Sequence, residues 1–503
     1  MVFSRPVRDS ASVLALGLVA TSSLVAAGPC DIYQAGNTPC VAAHSTTRAL
    51  YDQFNGALYQ VQRASDKKTT TIKPLAAGGV ANAATQDTFC KGTTCVITII
   101  YDQSGKGNDL SRAPAGGAAP GPDNLAAADG APVTVNGHKA YGVFSPPGTG
   151  YRNDKTSGIA TGDEAEGIYG VFDGTHYDAA CCYDYGNAEV NNLDNGATHM
   201  ETVYFGAWTA QGTGSGPGPW VMMDMENGVW SGYVRWHNEA DPTRNSRFVT
   251  GMVKGKANHW AIRAGDSTQG KLVTGYDGKR PAGYEKMNKE GAIILGIGGD
   301  NSDGSAGTFY EGVMTSGYPT NATEDKVQAN IVAAKYSAAA MTSGKDLPMN
   351  SSVSIQSSTA SNSSQYLSHN GSSVNTHHVS ENSTAAEKQQ ASWIVRSGLG
   401  NANCSSFESV DTPGSFLQHK NFTLQVNAND HSKQFGEDAT FCPQAGMNGT
   451  DNTHSLRSWN HPGRYVRLFD NNVHAASNGG AQAFDTADSF SNDVTWAING
   501  GFA

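Results

Sequence analysis

Charge is scarce in this sequence: acidic and basic side chains make up 16 % of 503 residues, and no run of lysine or arginine occurs. With a formal net charge of −11, the chain lacks the clustered cations that a phosphate backbone requires, so nucleic acid is not an expected partner. Long apolar runs are missing beyond the first residues, so neither a membrane span nor a membrane partner is expected. A Gly-x-Ser-x-Gly elbow, a His-Glu-x-x-His pair and a phosphate-cradling glycine loop are absent too, as is Cys-x-x-Cys or His-x-x-x-His spacing. These gaps argue against serine-hydrolase, zinc-peptidase and nucleotide chemistry, and no metal site is expected.

What the N-terminus does carry is an address. Arg5 and Arg8 precede an apolar run from Ala11 to Val25, and Val25-Ala26-Ala27 supplies small residues before Gly28. Residues 1–27 read as a secretory signal, and the mature chain as a secreted, extracellular, soluble protein, expected to be monomeric. The eight cysteines are even in number, as an oxidising compartment favours. Cys30 with Cys40 and Cys90 with Cys95 would close short loops, and the two late cysteines, Cys404 and Cys442, would bridge each other. That leaves the adjacent pair Cys181-Cys182. A vicinal disulfide is expected there, with two thiols or bridges to distant partners as the alternatives.

Glycine is frequent, at 59 residues, and short β-type runs outnumber helical patterns, which points to an all-β chain of two or more domains. Over residues 28–340 the runs Cys95–Tyr101, Thr202–Trp208 and Ala292–Ile297 alternate with turn residues, as in a β-sandwich. Two helices are expected, one over Ser45–Phe54 and one after Thr323, where Glu324 and Asp325 suit a helix start and Val327, Ile331 and Ala334 form an apolar stripe. Residues 341–364 are rich in Ser and Asn and read as a linker or as the first polar edge of a new domain. Asn-x-Ser/Thr sequons begin at Asn321, Asn350, Asn362, Asn370, Asn382, Asn403, Asn421 and Asn448, which marks those positions as surface and as glycosylation candidates.

Residues 365–503 contain a threefold repeat. One element recurs as Gln365–His369, Ser415–His419 and Arg464–Leu468, and a later one as Gln390–Trp393, Asp438–Phe441 and Asp493–Trp496. Three β-rich units of this kind predict a β-trefoil, each lobe of which can hold a sugar between a carboxylate, a His and an aromatic ring. The middle copy has His419, Asn421, Phe422 and Asp438, and is the best binding candidate. The last keeps Asp493, with Asp470 nearby, but has Leu468 in the His position. The first keeps His369 but has Gln390 in the Asp position, and is expected to be structural. A glycan on Asn421 would obstruct the middle pocket.

Chemistry concentrates in two motifs. Read as a strand, Trp220–Gly228 puts Trp220, Met222, Asp224 and Glu226 on one face, with Val221, Met223 and Met225 on the other. The two acids would then stand roughly 6.5–7 Å apart along the strand; the bland alternative is a solvated face meeting a turn at Asn227-Gly228. The second motif is Gly296-Ile-Gly-Gly-Asp300, where an apolar run ends in glycines that let backbone approach a ligand and then aims one acid. An ordinary turn at Asp300-Asn301 is the plain alternative, and Asp303 is a rival. Two carboxyls are what glycoside hydrolysis needs, one to protonate the departing oxygen and one to attack or to activate water.

The motifs Gly28-Pro-Cys-Asp-Ile-Tyr33, Tyr101-Asp-Gln-Ser-Gly105, Cys181-Cys182, Asp224-Met-Glu-Asn-Gly228 and Gly298-Gly-Asp-Asn301 together resemble glycoside hydrolase family 54, the fungal α-L-arabinofuranosidases. The trefoil resembles the family 42 carbohydrate-binding module, so the likeness covers essentially the whole mature chain. It implies a retaining mechanism with Glu226 as nucleophile and Asp300 as general acid/base. It also implies an arabinose subsite lined by Asp224, Asn227, Gly228 and Gly299, walled by the Cys181–Cys182 disulfide, with Trp208 a further candidate for that wall. In the trefoil it implies a middle site at His419, Asn421, Phe422 and Asp438 and a last-lobe site at Asp470, Val473 and Asp493, where Leu468 departs from the family's His. No metal or organic cofactor is implied. The expected partners are arabinose-substituted plant cell-wall polysaccharides.

The leading expectation is an exo-acting α-L-arabinofuranosidase acting on arabinoxylan and arabinan. Two others stand beside it: an inactive, lectin-like wall-binding protein, and a glycosidase with β-xylosidase side activity. Free arabinose as product separates the first from the second, and a panel of aryl glycosides separates the first from the third.

Overall fold

The computed structural model describes Met1, residues 27–359 and residues 364–503. The expected signal peptide and the Asn362 sequon fall on or beside residues 2–26 and 360–363 and so lie outside the described residues, Met1 and Ala27 excepted. The chain is all-β. Residues 28–340 form two large antiparallel sheets of nine and ten strands, beside a two-stranded parallel ladder of Gly214–Ser215 with Asn238–Pro242; the large sheets stack so that Phe172 of one meets Phe205 of the other with ring centroids 5.4 Å apart. The shared core also takes Tyr183, Tyr185, Val221 and Met223 from one sheet and Phe309 and Val253 from the other, all buried. This is the expected β-sandwich.

In the ten-stranded sheet the strands Val229–Trp230, Trp220–Asp224, Glu201–Gly206, Asp184–Ala188 and Ala292–Leu295 are successive neighbours. Alternation turns Val221 and Met223 into the sandwich core. Trp220 and Met222 go to the outer face, where they pack with Tyr204 and Cys182. Asp184 and Asp224 stand on that outer face as well, and the site is built over it.

One expectation changes. Ser45–Phe54 is not a helix: Cys40–Ser45 is a strand, and the residues after it form an irregular buried segment. There the Ser45 hydroxyl accepts the N–H groups of Thr47 and Arg48, both at 3.1 Å, and the Leu50 N–H goes to the Gln103 side chain at 2.7 Å. Local side-chain bonds of this kind compete with a helix for the same backbone groups. The later helix spans Asn321–Ala333 with Thr320 as its cap, and Val327, Ile331 and Ala334 are buried as the stripe required.

Of the two readings of the segment from residue 341, the described residues 341–359 fit the edge of a new domain rather than a linker. Met341 is buried against Cys404, Cys442 and Trp459, and Ser352–Ser357 is the first strand of the C-terminal barrel, paired with the last strand, Trp496–Gly500. The threefold repeat is visible in the hairpins Gln365–Asn370/Ser373–His378, Ser415–Lys420/Thr423–Ala428 and Arg464–Phe469/Asn472–Ser477. Their return strands pair with one another through Ser373 with Gln425, Asn375 with Asn472 and Thr423 with His474. Trp393 and Trp496, at equivalent positions in the repeat, are buried and donate their indole N–H to Leu367 O and Val466 O at 3.1 and 2.9 Å. The barrel docks on the sandwich where Trp459 meets Phe144 and His176 and where Arg457 pairs with Asp129 at 3.1 Å.

Candidate active site

The strand that begins at Trp220 ends at Asp224, so Glu226 is not on the strand face as the alternation suggested. Instead Met225 N–H donates to Gly228 O at 3.0 Å, closing a two-residue turn in which Glu226 and Asn227 both have left-handed backbone, with φ of 61° and 53°. Such turns join antiparallel strands with the right twist and normally use Asn or Gly. A glutamate held there carries backbone strain of the sort found at functional sites. Two contacts secure it: the Glu226 N–H donates to Asp224 Oδ1 at 3.0 Å, and Tyr284 OH donates to Glu226 O at 2.9 Å. Gly228 is required, since a Cβ there would lie 2.2 Å from Trp230 Nε1 and 2.5 Å from Tyr284 OH.

The second acid arrives from the other motif. After Leu295 the chain leaves the sheet through Gly296, whose φ is 82°, and folds back over the outer face. Gly299 then presses against the acids: a Cβ on it would sit 2.1 Å from Glu189 Oε2 and 3.0 Å from Glu226 Oε2. Asp300 follows, with Oδ1 accepting the N–H and hydroxyl of Ser302 at 3.0 and 2.5 Å. Oδ2 has no partner among the described residues. The rival, Asp303, does not line the cavity between the two motifs; Asp224, Glu226, Asn227, Gly228, Gly299 and Asp300 do, as do Cys181, Cys182 and Trp208. That cavity measures about 150 Å³. All four expected disulfides are present, the Cys181–Cys182 bridge included. Cys181, Cys182 and Asp224 converge within 4.8 Å, but the sulfurs are bonded to each other and neither is a thiolate.

Four residues that the motifs did not reveal complete the site. Asp184 and Glu189 are wholly buried; Asp184 lies beside Thr202 and Asp224, and Glu189 beside Glu226 and the backbone of Asn195. Burial and then the charge of Asp224 push the Asp184 carboxyl well above the usual carboxylate range, and burial likewise raises Glu189. The same causes act on their neighbours. Asp224 is raised to about 7 by burial, and Glu226 to about 11 by burial and then by the charges of Asp224 and Glu189. Four carboxyls this close cannot all ionise, so the protons belong to the cluster. Gln211 receives the Trp208 indole N–H at 3.1 Å, and Asp194 receives the Asn227 amide at 3.0 Å.

In the trefoil the middle-lobe residues do assemble. His419 Nε2 lies 3.0 Å from Asn460 Oδ1 and 3.6 Å from Asp438, and Asn460 Nδ2 donates to Asp438 at 2.7 Å. Burial lowers His419 and raises Asp438. Phe422 is half-buried under the Arg464 guanidinium, 3.6 Å from its ring, and Asn421 is exposed at the hairpin turn. The last lobe is different: Asp493 is paired with buried Arg467 at 2.8 Å, Val473 and Leu468 are in the barrel core, and Asp470 is exposed. The first lobe carries an unexpected pair, His369 Nε2 with Asp411 at 2.9 Å, because Asp411 takes the place that Asn460 has in the middle lobe.

A small cavity ringed by acids in a β-sandwich, joined to a β-trefoil, defines a glycoside hydrolase with a carbohydrate-binding domain. Comparison with known proteins gives the particular kind. Residues 29–337 match the alpha-L-arabinofuranosidase B catalytic family and residues 354–498 the alpha-L-arabinofuranosidase B (ABFB) domain, and the chain belongs to this family, glycoside hydrolase family 54 with a family 42 binding module. It is 63 % identical to a probable alpha-L-arabinofuranosidase B of Aspergillus fumigatus, over 98 % of this chain and 99 % of that one. It is 60 % identical to an arabinofuranosidase/B-xylosidase of Trichoderma koningii, over 98 % and 100 %. A solved arabinofuranosidase in complex with arabinofuranosyl-alpha-1,2-xylobiose superposes with a TM-score of 0.93 at 59 % identity, covering 95 % of this chain and all of that one. The protein is an α-L-arabinofuranosidase.

Proposed function

We propose that this enzyme is secreted and releases single L-arabinofuranose side chains from arabinoxylan and arabinan with retention of configuration. The carrying observation is the cavity itself. It is a small pocket of about 150 Å³ lined by the acids of both motifs, which suits an exo-acting enzyme that takes a terminal sugar. The xylobiose carrier bound by the solved relative supports a xylan main chain as the leaving group.

In this reading Glu226 attacks the anomeric carbon and Asp300, one oxygen held by Ser302, protonates the departing main-chain oxygen and later deprotonates water. Attack needs Glu226 as a carboxylate. The cluster's protons then reside on Asp184, facing Asp224, and on Glu189, facing Glu226. Asp224 and Asn227 hold sugar hydroxyls and the disulfide offers an apolar wall. In the trefoil, His419 and Asp438 gather arabinose hydroxyls beside Phe422.

The test is turnover of 4-nitrophenyl α-L-arabinofuranoside. Glu226→Gln is expected to lose at least about 10³-fold in kcat with unchanged melting temperature. Asp300→Asn is expected to regain turnover when azide is added, because the activated leaving group needs no acid and azide needs no base. Full activity in either variant contradicts the assignment. β-D-Xylosidase side activity, as in the name of the Trichoderma koningii relative, is read from the matching aryl xyloside.

A further inference from the structure

Three large apolar side chains are exposed within four consecutive residues: Tyr233, Val234 and Trp236, at 50 %, 59 % and 56 %. The backbone beneath them is firmly held. Trp236 N–H donates to Gln211 O at 3.0 Å and Asn238 N–H to Thr213 O at 2.8 Å. The Thr213 hydroxyl donates to Trp236 O, and the Asn238 amide reaches back to Ser231 O at 2.6 Å. Trp236 itself has left-handed backbone, with φ of 91°, a conformation that a bulky residue keeps only when its surroundings impose it. The Arg235 guanidinium lies 4.4 Å from the indole centroid, bracing the ring.

This loop adjoins the catalytic cavity. Gln211, whose carbonyl holds Trp236, also holds the Trp208 indole, and both Trp208 and Gln211 line the cavity, as does Val229 at the root of the loop. An exposed apolar patch at a site's rim calls for a ligand, and three side chains are far too few for a protein interface, which needs about 800 Å² per partner. A sugar ring fits: its C–H face packs on an aromatic while its hydroxyls turn to polar neighbours, here Arg235 and His237.

We propose that Tyr233, Val234 and Trp236 form the subsite for the leaving group, gripping the pyranose main chain whose arabinofuranose branch is seated in the cavity. The proposal rests on the side-chain-releasing activity proposed above and adds where the rest of the polymer lies.

The experiment compares kcat/KM for arabinofuranosyl-α-1,2-xylobiose with that for methyl α-L-arabinofuranoside, whose leaving group is too small to reach the loop. In Trp236→Ala the ratio of the two is expected to fall about 3- to 10-fold, mostly through KM for the oligosaccharide, with Trp236→Phe restoring much of it. Tyr233→Ala, which leaves the strained position alone, is expected to lower the ratio in the same direction. An unchanged ratio in both alanine variants overturns the subsite. A wild-type enzyme that cleaves the methyl glycoside but not the oligosaccharide overturns instead the side-chain reading beneath it.

Discussion

Asp224 accepts the backbone N–H of Glu226 at 3.0 Å, so the acid that ends the strand also fixes the turn that presents the next acid. Behind this pair stand Asp184 and Glu189, both buried, with Asp184 against Asp224 and Glu189 against Glu226. A folded protein keeps such groups only by leaving protons on some of them. The behaviour of the enzyme with pH follows from that arrangement.

Asp184→Asn is expected to stabilise the protein increasingly as pH rises. The Asp184 carboxyl is raised in the folded state, so its favourable state is the protonated one. That contribution is complete below the unfolded value of about 3.9 and is lost as pH climbs towards the folded value. Asparagine stays neutral and can still donate to Asp224. Calorimetry should show melting temperatures about equal at pH 4 and the variant higher by about 2–4 °C at pH 8. A gap independent of pH contradicts the shift.

Glu189→Gln keeps the neutral donor that a protonated Glu189 offers to the Glu226 carboxylate, so kcat should be retained within about tenfold. Glu189→Ala leaves Glu226 without that donor and should lose more. An equal loss in the two variants contradicts the role of Glu189 as a neutral donor.

The strands, the sandwich, the trefoil and all four disulfides were legible in the sequence, because alternation, repeat length and cysteine spacing are local. Glu226 was legible as an acid but not as a turn residue: period-2 reading carries the strand two residues too far, and only Met225 closing on Gly228 shows where pairing stops. Asp184 and Glu189 were not legible at all. Each reaches the site through sheet pairing or through the fold-back of Gly299, and neither belongs to a motif. Asp411 and Asn460 escaped for a related reason, since they lie outside the two repeated elements and come into register only when the barrel closes.

Trp459→Ala should loosen the two domains. Trp459 is buried edge-on against the stacked Phe144–His176 pair of the sandwich, and loss of a buried Trp costs about 3–5 kcal/mol. Limited proteolysis should then cut faster within residues 342–351, with the isolated barrel appearing as a fragment. An unchanged cleavage rate contradicts docking through this contact.

Asp438→Ala should weaken retention on insoluble arabinoxylan while barely changing turnover of a small aryl arabinoside. The variant breaks the His419–Asn460–Asp438 arrangement, which makes no contact with the catalytic cavity. An equal fall in small-substrate turnover contradicts separate roles for the two domains.

The central claim is that Glu226 and Asp300 carry out a double displacement on one arabinofuranose. Proton NMR of an aryl α-L-arabinofuranoside digest tests it most directly, because the first product's anomeric signal reports the stereochemistry before mutarotation. The α-anomer is expected first, with the β-anomer growing later. The β-anomer first would mean that the two carboxyls flank a water, and Glu226 would not be a nucleophile.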